Sequence, residues 1–226
     1  MAFNESRQDA CAPSDSVKYT SSMDSIAGFI LVGGESRRMG TDKSGLTLNG
    51  QSFVDRIASE ISGVSSSVTI VGSNAAALQL ERSRNLAVAP DVYPHWGALG
   101  GVHAALAACS AQGSAKWALI VACDFPFVSS ELFVRLASVR AGFEAVAPVQ
   151  SDSIPQPLCA LYRLEPCLAR AEELIKSGER KPIALLQSVC TRWILFSELA
   201  DLKQANSLFD NINTPQDYAR IARERS

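Results

Sequence analysis

Short apolar runs alternate with amphipathic segments along most of the chain. The apolar run at residues 26–32 ends at a pair of glycines, and a continuous run of this length is typical of a strand buried on both faces. At residues 53–61 the apolar positions repeat with the period of a helix. The same criteria predict further strands at residues 68–71, 86–89, 117–123, 143–149, 158–162 and 193–196, and further helices at residues 99–109, 131–139, 164–175, 182–189 and 214–223.

The order of these elements predicts the fold. Strands alternate with helices up to about residue 140, which favours a mostly parallel sheet covered by helices on both faces. Gly178 is a typical end for the helix that precedes it, because glycine adopts the left-handed backbone there. With no repeat or internal linker, we expect one Rossmann-like α/β domain at residues 26–226. Residues 1–25 are polar and serine-rich, and are predicted to form a disordered tail.

Composition and charge narrow the possible functions. Of the 226 residues, 47% are hydrophobic and 19% are charged, which are the proportions of a globular protein. The longest apolar stretch, near residues 117–123, is far shorter than the ~18 residues that a membrane span requires. A formal net charge of −2 gives the surface as a whole no attraction for nucleic acid or an anionic membrane. An anionic ligand is therefore expected to bind a local group of cations.

The cysteines and histidines disfavour several kinds of site. The six cysteines form no C-x-x-C pair and most lie in apolar runs, so we interpret them as core residues of a protein in a reducing compartment. Only two histidines are present, which disfavours a zinc site or a serine–histidine triad. The N-terminal segment lacks the apolar core of a signal peptide. These features predict a cytoplasmic enzyme or binding domain.

The loop after the first predicted strand carries candidate phosphate-binding chemistry. Ligands of open parallel sheets bind at the carboxyl ends of the strands. Gly33 and Gly34 allow backbone N–H groups to approach a phosphate closely, and Arg37, Arg38 and Lys43 supply the positive charge that a triphosphate needs.

Two acidic residues follow later strands. Asp124 comes directly after the strand at residues 117–123, and its carboxylate suits Mg²⁺ held against the phosphates. Asp91 follows the weak strand at residues 86–89. A glycine pair after a strand also occurs in plain tight turns, and charged loops are often only solvated. The first loop and Asp124 together therefore carry the prediction of a nucleotide site.

Two common phosphate-binding motifs do not fit the sequence. A Walker loop needs G-x-x-x-x-G-K followed by serine or threonine, whereas Gly40 is followed by Thr41. A dinucleotide-binding fingerprint needs G-x-G-x-x-G and an acidic residue after the second strand, which here ends in Gly72-Ser73-Asn74. Both motifs fail on spacing, and a Rossmann oxidoreductase is accordingly disfavoured.

The first loop resembles a known signature. The segment LVGGESRRMGTDK at residues 31–43 is similar to L-A-G-G-x-S-x-R-M-G-x-D-K of the molybdenum cofactor guanylyltransferase family. The first motif and C-D-x-P are specific for the wider nucleotidyltransferase superfamily, and G-E-R and N-x-N-T-P narrow the resemblance further. It spans residues 26 to the end, through Leu46, Gly50, Asp91, residues 97–101, Cys123-Asp124-Phe125-Pro126, Pro157-Leu158, Ala160-Leu161-Tyr162, Gly178-Glu179-Arg180 and Asn211-Ile212-Asn213-Thr214-Pro215.

The resemblance implies an activity and its partners. Members of the family have a mixed sheet, transfer GMP from GTP to the terminal phosphate of molybdopterin, release pyrophosphate and use Mg²⁺. Molybdoenzymes or their chaperones are the implied recipients of the product. By position, Asp124 is the metal ligand, with Asn211 or Asn213 near it, and Asp91 helps to fix the nucleoside. The implied nucleotide contacts are the backbone of Leu31, Val32 and Gly33, for the guanine and ribose, and the side chain of Lys43, for the triphosphate. Our interpretation of the loop adds the backbone of Gly34 and the side chain of Arg37 or Arg38.

The acceptor side of the site has more than one interpretation. Arg180 and Lys181 are candidates to bind the acceptor phosphate, and Gln156 is a candidate to reach the pterin. A basic surface pair beside a helix end explains Arg180 and Lys181 equally well. For Asn211 and Asn213 the alternative is a turn that precedes the last helix.

The sequence departs from the family pattern at three places. Val32 replaces the usual alanine and adds bulk where a base is expected. The segment at residues 95–98, His-Trp-Gly-Ala, replaces a loop richer in proline and glycine, which puts the local loop geometry in doubt. Gly72 stands where many members have asparagine, with Asn74 close by in the sequence.

Three alternatives to molybdopterin guanylyl transfer remain open. One is a cytidylyltransferase for the same cofactor, although such members usually carry L-A-A-G where Gly33 and Gly34 stand. Another is a guanylyltransferase for a different phosphorylated acceptor. The third is a non-catalytic nucleotide- or cofactor-binding module, which the intact Lys43 and Asp124 disfavour.

Overall fold

A computed structural model describes residues 25–32, 47–48, 50–72, 86–210 and 212. The strands within them are β1 (Ile26–Leu31), β2 (Thr47–Leu48), β3 (Gln51–Ser52), β4 (Val68–Val71), β5 (Ala87–Ala89), β6 (Trp117–Ala122), β7 (Ala145–Pro148), β8 (Cys159–Arg163) and β9 (Thr191–Ile194). The α-helices are α1 (Phe53–Ser62), α2 (Gly97–Gln112), α3 (Ser130–Ser138), α4 (Leu164–Lys176) and α5 (Pro182–Ser188).

Seven of these strands form one mixed sheet in the order β5-β4-β1-β6-β8-β7-β9, and β2 and β3 form a separate antiparallel pair. Strand β8 runs antiparallel to β6 and β7, whereas every other neighbouring pair in the large sheet is parallel. The chain proceeds from β1 outward to β4 and β5 and then returns to place β6 on the other side of β1. Strands β1 and β6 therefore flank the point where the strand order reverses.

Helices cover both faces of the sheet. Residues of α1 and α3 pack on one face, and residues of α2, α4 and α5 pack on the other. Strand β1 serves both layers because its side chains alternate: Ile26 and Ile30 point to the first layer, and Phe29 and Leu31 point to the second. All six residues of β1 are buried, as are all six of β6. The central strands are thus apolar throughout, as parallel strands covered on both faces must be.

The predicted fold class, a mostly parallel α/β sheet covered on both faces, is confirmed, while several details differ. The two-residue strands β2 and β3 were not predicted, because so short a pair leaves no periodic pattern. The predicted strand at residues 193–196 is displaced to 191–194, and Phe196–Glu198 forms a 3₁₀ turn instead. The Glu198 carboxylate closes this turn by accepting a hydrogen bond from Leu195 N at 3.1 Å. Of the tail predicted at residues 1–25, residues 1–24 lie outside the described residues, and so does the last predicted helix at 214–223. Ser25, at the predicted boundary, accepts a hydrogen bond from Lys116 N at 3.1 Å.

No helix in the described part of the chain is both long and apolar enough to cross a membrane. Four of the six cysteines, Cys109, Cys123, Cys159 and Cys167, are buried free thiols, as their apolar context predicts. Cys190 is disulfide-bonded, which differs from the prediction of reduced cysteines. Burial raises the pKa of the Cys109 thiol to about 11, so this side chain is uncharged at neutral pH.

Helix α1 lies unusually close to β1 at Gly28. A methyl group built on Gly28 would lie 2.2 Å from Ile61 Cγ2 and 3.2 Å from the carbonyl oxygen of Ser67. Ile61 is fully buried and its branched side chain has little rotational freedom in a helix. The absence of a side chain at residue 28 therefore sets how closely α1 approaches the sheet.

Gly28→Ala is expected to lower the free energy of unfolding by about 1–3 kcal/mol, because the added methyl group overpacks the contact with Ile61. Urea denaturation followed by circular dichroism measures this change. Gly63→Ala is the matched control: Gly63 has helical backbone angles (φ −69°, ψ −18°), and a methyl group there meets its nearest neighbours at 3.4 Å. The control should leave stability unchanged or raise it by up to about 1 kcal/mol, because alanine restricts the unfolded chain more than glycine does. If both variants lose the same free energy of unfolding, the contact between residue 28 and Ile61 does not explain the effect, and the prediction is wrong.

Candidate functional site

The carboxyl ends of four strands form a level row. The register pairs Leu31 of β1 with Val71 of β4 and with Ala122 of β6. The first residue after each strand then adds one more hydrogen bond: Cys123 N donates to Leu31 O at 3.1 Å, Val32 N to Val71 O at 2.9 Å, and Gly72 N to Ala89 O at 3.0 Å. The loops that follow these strands consequently leave the sheet side by side. This edge, at the reversal between β1 and β6, is where open α/β sheets bind ligands.

Asp124 is the first residue of the turn after Cys123 at this edge. Its side chain is half-buried, and its carbonyl oxygen accepts a hydrogen bond from Ile212 N at 3.4 Å. The ring of Phe125 meets the ring of Phe209 edge-on, with 6.3 Å between their centroids. These contacts hold the segment that leads to Ile212 against the Asp124 turn. Asn211 and Asn213 lie outside the described residues, so their predicted place near a metal stays a prediction.

Val32 and Gly72 meet at the ends of β1 and β4. Val32 is 3% exposed and packs in the core on the α1 face, so its extra bulk relative to alanine is taken up by that layer. A methyl group on Gly72 would lie 2.2 Å from the carbonyl oxygen of Val32 and 3.2 Å from its Cγ2 atom. The asparagine that many family members have at this position does not fit this backbone.

The loop between β5 and α2 carries Asp91 and then folds onto the first turn of α2. Asp91 is half-exposed at the end of β5, beyond Pro90. The loop passes through left-handed backbone at His95 (φ 63°) and Gly97 (φ 75°). A methyl group on Gly100 would lie 2.9 Å from Trp96 Cβ, so the loop can pack this closely only against glycine. The structure thus defines the segment at residues 95–98, whose geometry the sequence left in doubt.

The segment at residues 178–181, between α4 and α5, reaches the same edge. Gly178 takes left-handed backbone (φ 90°) and ends α4, as predicted, while Glu179 N donates to Leu174 O at 2.9 Å. The Glu179 carboxylate accepts hydrogen bonds from the backbone of Arg180 and Lys181, at 2.8 and 2.9 Å. These two backbone N–H groups hold the pKa of the Glu179 carboxyl below its usual range, with the Lys181 bond the larger cause.

The loop at residues 91–97 and the segment at residues 178–181 are joined directly. Trp96 Nε1 donates to Glu179 O at 2.9 Å, and the Arg180 guanidinium carbon lies 4.7 Å from the centroid of the Trp96 ring. Leu99 N, in the first turn of α2, donates to Arg180 O at 3.3 Å. Arg180 and Lys181 are themselves exposed. The structure therefore brings Arg180, proposed for the acceptor, to the loop that carries Asp91, proposed for the nucleoside.

Gln156 lies in the loop between β7 and β8, also at the carboxyl edge. It is 8% exposed, and its side-chain amide donates to Ile154 O at 3.4 Å. Its backbone N–H donates to Pro148 O at 2.9 Å. In this arrangement the Gln156 side chain supports its own loop.

Seven of the predicted site residues lie outside the described part of the chain: Gly33, Gly34, Arg37, Arg38, Lys43, Asn211 and Asn213. Two residues with clear roles in the local geometry were missed. Glu179 lies in the G-E-R motif but had no assigned role, and Trp96 was noted only as a departure from the family. The sequence feature that could have indicated a role for Trp96 is an aromatic side chain in a loop where the family pattern has glycine and proline.

His103 is buried on α2 below this loop. Its side chain is 3% exposed, and the Tyr93 ring contacts it edge-on with 4.9 Å between centroids. Neither ring nitrogen has a hydrogen-bond partner within the described ranges, and Nε2 lies 3.7 Å from Glu172 Oε1 on α4. Burial lowers the pKa of His103, and the nearby Glu172 carboxylate offsets only part of this effect.

These observations define a class of protein, a doubly wound α/β domain whose candidate ligand site lies at the switch point of its sheet. Residues 28–193 match the family model of the MobA-like NTP transferase domain, and the chain belongs to this family of nucleotidyltransferases. The resemblance based on the sequence motifs is thereby confirmed.

Several curated proteins and solved structures are similar to the chain. A probable molybdenum cofactor guanylyltransferase of Pelotomaculum thermopropionicum is 34% identical over 202 residues, covering 88% of this chain and 94% of that protein. The molybdenum cofactor guanylyltransferase of Vibrio cholerae is 29% identical, over 85% of this chain and 89% of its own length. The crystal structure of molybdopterin-guanine dinucleotide biosynthesis protein A from Archaeoglobus fulgidus superposes with a TM-score of 0.73 at 27% identity, covering 88% of this chain and 97% of that one.

His103 is expected to make the fold acid-sensitive. The pKa of His103 is lower in the folded state than the unfolded value of 6.5. As the pH falls through 6.5, the unfolded chain therefore binds more protons than the folded chain does, and the free energy of unfolding decreases. The loss is at most about 1.4 kcal/mol per pH unit. His103→Phe, which keeps a ring beside Tyr93, should lose less stability than the wild type between pH 7.5 and 5.5 in urea denaturation.

The control is His95→Asn, which replaces the other histidine at an exposed position with left-handed backbone that asparagine tolerates. This variant should follow the wild-type pH dependence. If the stability of His103→Phe has the same pH dependence as that of the wild type, His103 does not titrate differently in the folded and unfolded states, and the prediction is wrong.

Proposed function

We propose that the protein transfers GMP from GTP to the terminal phosphate of molybdopterin, forming the guanine dinucleotide cofactor and releasing pyrophosphate. The observation that supports this most directly is the position of Asp124. It follows Cys123, whose N–H donates to Leu31 O, so Asp124 begins the loop beside the strand end from which the predicted phosphate loop leaves. The names of the relatives, which span nearly the same length, support the choice of GTP and molybdopterin.

Mg²⁺ is part of the proposal. Across the described ranges no group of three or more His, Cys, Asp or Glu side chains gathers into a metal cage. The half-buried carboxylate of Asp124 fits Mg²⁺, which is usually bound by one or two carboxylates, water and the substrate phosphates. The ion would supply charge neutralisation at the triphosphate and the leaving pyrophosphate.

The proposed reaction is an in-line displacement at the α-phosphorus of GTP. An oxygen of the acceptor phosphate forms a bond to the α-phosphorus, and the bond to the oxygen bridging the α- and β-phosphates breaks with its electron pair leaving on pyrophosphate. The attacking phosphate is already an anion, so little general-base catalysis is needed. The main barrier is the approach of two anions, and cations and backbone N–H groups lower it by positioning and charge stabilisation.

Residues of this chain divide between the two substrates in the proposal. Lys43, with Arg37 and Arg38, pairs with the triphosphate. Asp91 fixes the nucleoside at the end of β5. On the acceptor side, Arg180 and Lys181 are exposed at the same edge of the sheet and are suited to a phosphate. The backbone contacts proposed for the guanine and ribose come from Leu31, Val32, Gly33 and Gly34.

The proposal places the enzyme in the cytoplasm, with molybdoenzymes or their chaperones as recipients of the product. Cytidylyl transfer is the nearest alternative, because it would use the same fold and mechanism with another base.

Asp124→Asn is expected to lower kcat/KM for pyrophosphate release by at least about 10²-fold, because a neutral amide binds Mg²⁺ poorly. The urea midpoint should stay unchanged. The matched control is Glu165→Gln, an exposed carboxylate in the first turn of α4 at the opposite edge of the sheet. A fully active Asp124→Asn enzyme would remove Asp124 as the metal ligand.

The choice of nucleotide is tested by pyrophosphate release from GTP and from CTP, with Mg²⁺ and molybdopterin as acceptor. Turnover with GTP and little with CTP is expected. Preference for CTP would keep the mechanism and overturn the proposed substrate. Nucleotide binding without turnover of either would favour another acceptor or the non-catalytic module.

A further inference from the structure

We propose that Trp96 is a positioning residue for the acceptor: its indole holds the segment at residues 178–181 so that the Arg180 guanidinium stays over the ring and faces the acceptor phosphate. The role of Arg180 in this proposal rests on the proposed function. The contact itself is a property of the structure, in which Trp96 touches two consecutive residues of that segment.

The Trp96 indole acts through two separate contacts. Its N–H donates to the carbonyl oxygen of Glu179 at 2.9 Å, which fixes the backbone just before Arg180. Its ring face lies 4.7 Å from the Arg180 guanidinium carbon, a distance at which a cation is attracted to the ring. One contact therefore fixes the backbone. The other limits the side chain, together with a hydrogen bond that Arg180 Nη1 donates to His95 O at 3.5 Å. Glu179 completes the arrangement because its carboxylate binds the two backbone N–H groups that follow.

Trp96 is itself held in place. Its backbone N–H donates to Tyr93 O at 3.2 Å, and the two rings lie 6.5 Å apart. The Tyr93 ring in turn packs on the buried His103, and Gly100 leaves room for the Trp96 Cβ atom. The indole is thus held by Tyr93 and by the first turn of α2, while Arg180, which it also contacts, is exposed.

A fixed guanidinium favours acceptor binding. A free arginine side chain has many rotamers, and binding a phosphate removes most of that freedom. When the ring holds the guanidinium beforehand, less entropy is lost at the moment of binding. The effect should therefore appear in the KM for the acceptor, and not in the KM for GTP.

Trp96→Phe tests the proposal, because phenylalanine keeps a ring but removes the N–H donor and much of the ring surface. We expect the KM for molybdopterin to rise about 5- to 20-fold, with kcat and the KM for GTP within about 2-fold of wild type. Trp193→Phe is the matched control, since Trp193 lies on β9 at the far edge of the sheet from β5. The control should leave all three constants unchanged.

A double-mutant cycle with Arg180→Gln separates positioning from general stability. If Trp96 acts through Arg180, Trp96→Phe should have little further effect on the KM for molybdopterin when Arg180 is already glutamine. Additive effects would overturn the proposal. So would an equal loss of kcat/KM for both substrates, which is the pattern of a merely structural residue.

Limited trypsin digestion gives a measurement that needs no substrate. Trypsin cleaves after arginine, so the rate of cutting between Arg180 and Lys181, followed by mass spectrometry, reports how firmly the segment is held. Trp96→Phe should raise this rate several-fold, and Trp193→Phe should not. An unchanged cleavage rate in Trp96→Phe would overturn the positioning role, even if the wild-type enzyme shows no turnover. A raised cleavage rate in the absence of turnover would overturn the proposed function alone.

Discussion

Strand β1 is hydrogen-bonded to a parallel strand on each side, and the position of the site depends on this pairing. Leu31 is level with both Val71 and Ala122, so three strands end in one row. Because all three run in the same direction, their connecting loops must leave from the same edge of the sheet. Apolar burial on both faces of β1 and β6 leaves that edge as the place where polar groups such as Asp124 can meet a ligand.

Two glycines allow close backbone contacts in this part of the sheet. Gly28 lets α1 approach β1, and Gly72 lets the end of β4 pass directly beside the carbonyl oxygen of Val32. A side chain at residue 72 is excluded mainly by the backbone of residue 32, because its Cβ atom would lie 2.2 Å from the Val32 carbonyl oxygen, and the Val32 Cγ2 atom at 3.2 Å adds to this crowding.

Much of this architecture could be predicted from the sequence because the buried strands carry strong signals. The runs that became β1 and β6 are apolar without interruption, and each is followed directly by a candidate ligand-binding loop. The direction of β8 could not be obtained from its own residues, because a strand buried on both faces has the same composition in either direction. The strand predicted at 193–196 was displaced because Glu198 binds the backbone of Leu195, a contact that apolar periodicity does not encode.

The acceptor side shows why part of a site escapes sequence analysis. Trp96 and Glu179 are 83 residues apart, and their hydrogen bond exists only because α2 and α4 pack side by side. The chain as a whole carries a net charge of −2, so a phosphate is attracted by local cations and not by the overall field. Exposed cations on long side chains attract a phosphate weakly unless something limits their motion. In this protein the Trp96 indole and the Glu179 carboxylate, neither of which is positively charged, bind residues 179–181 and so limit the motion of the Arg180 side chain.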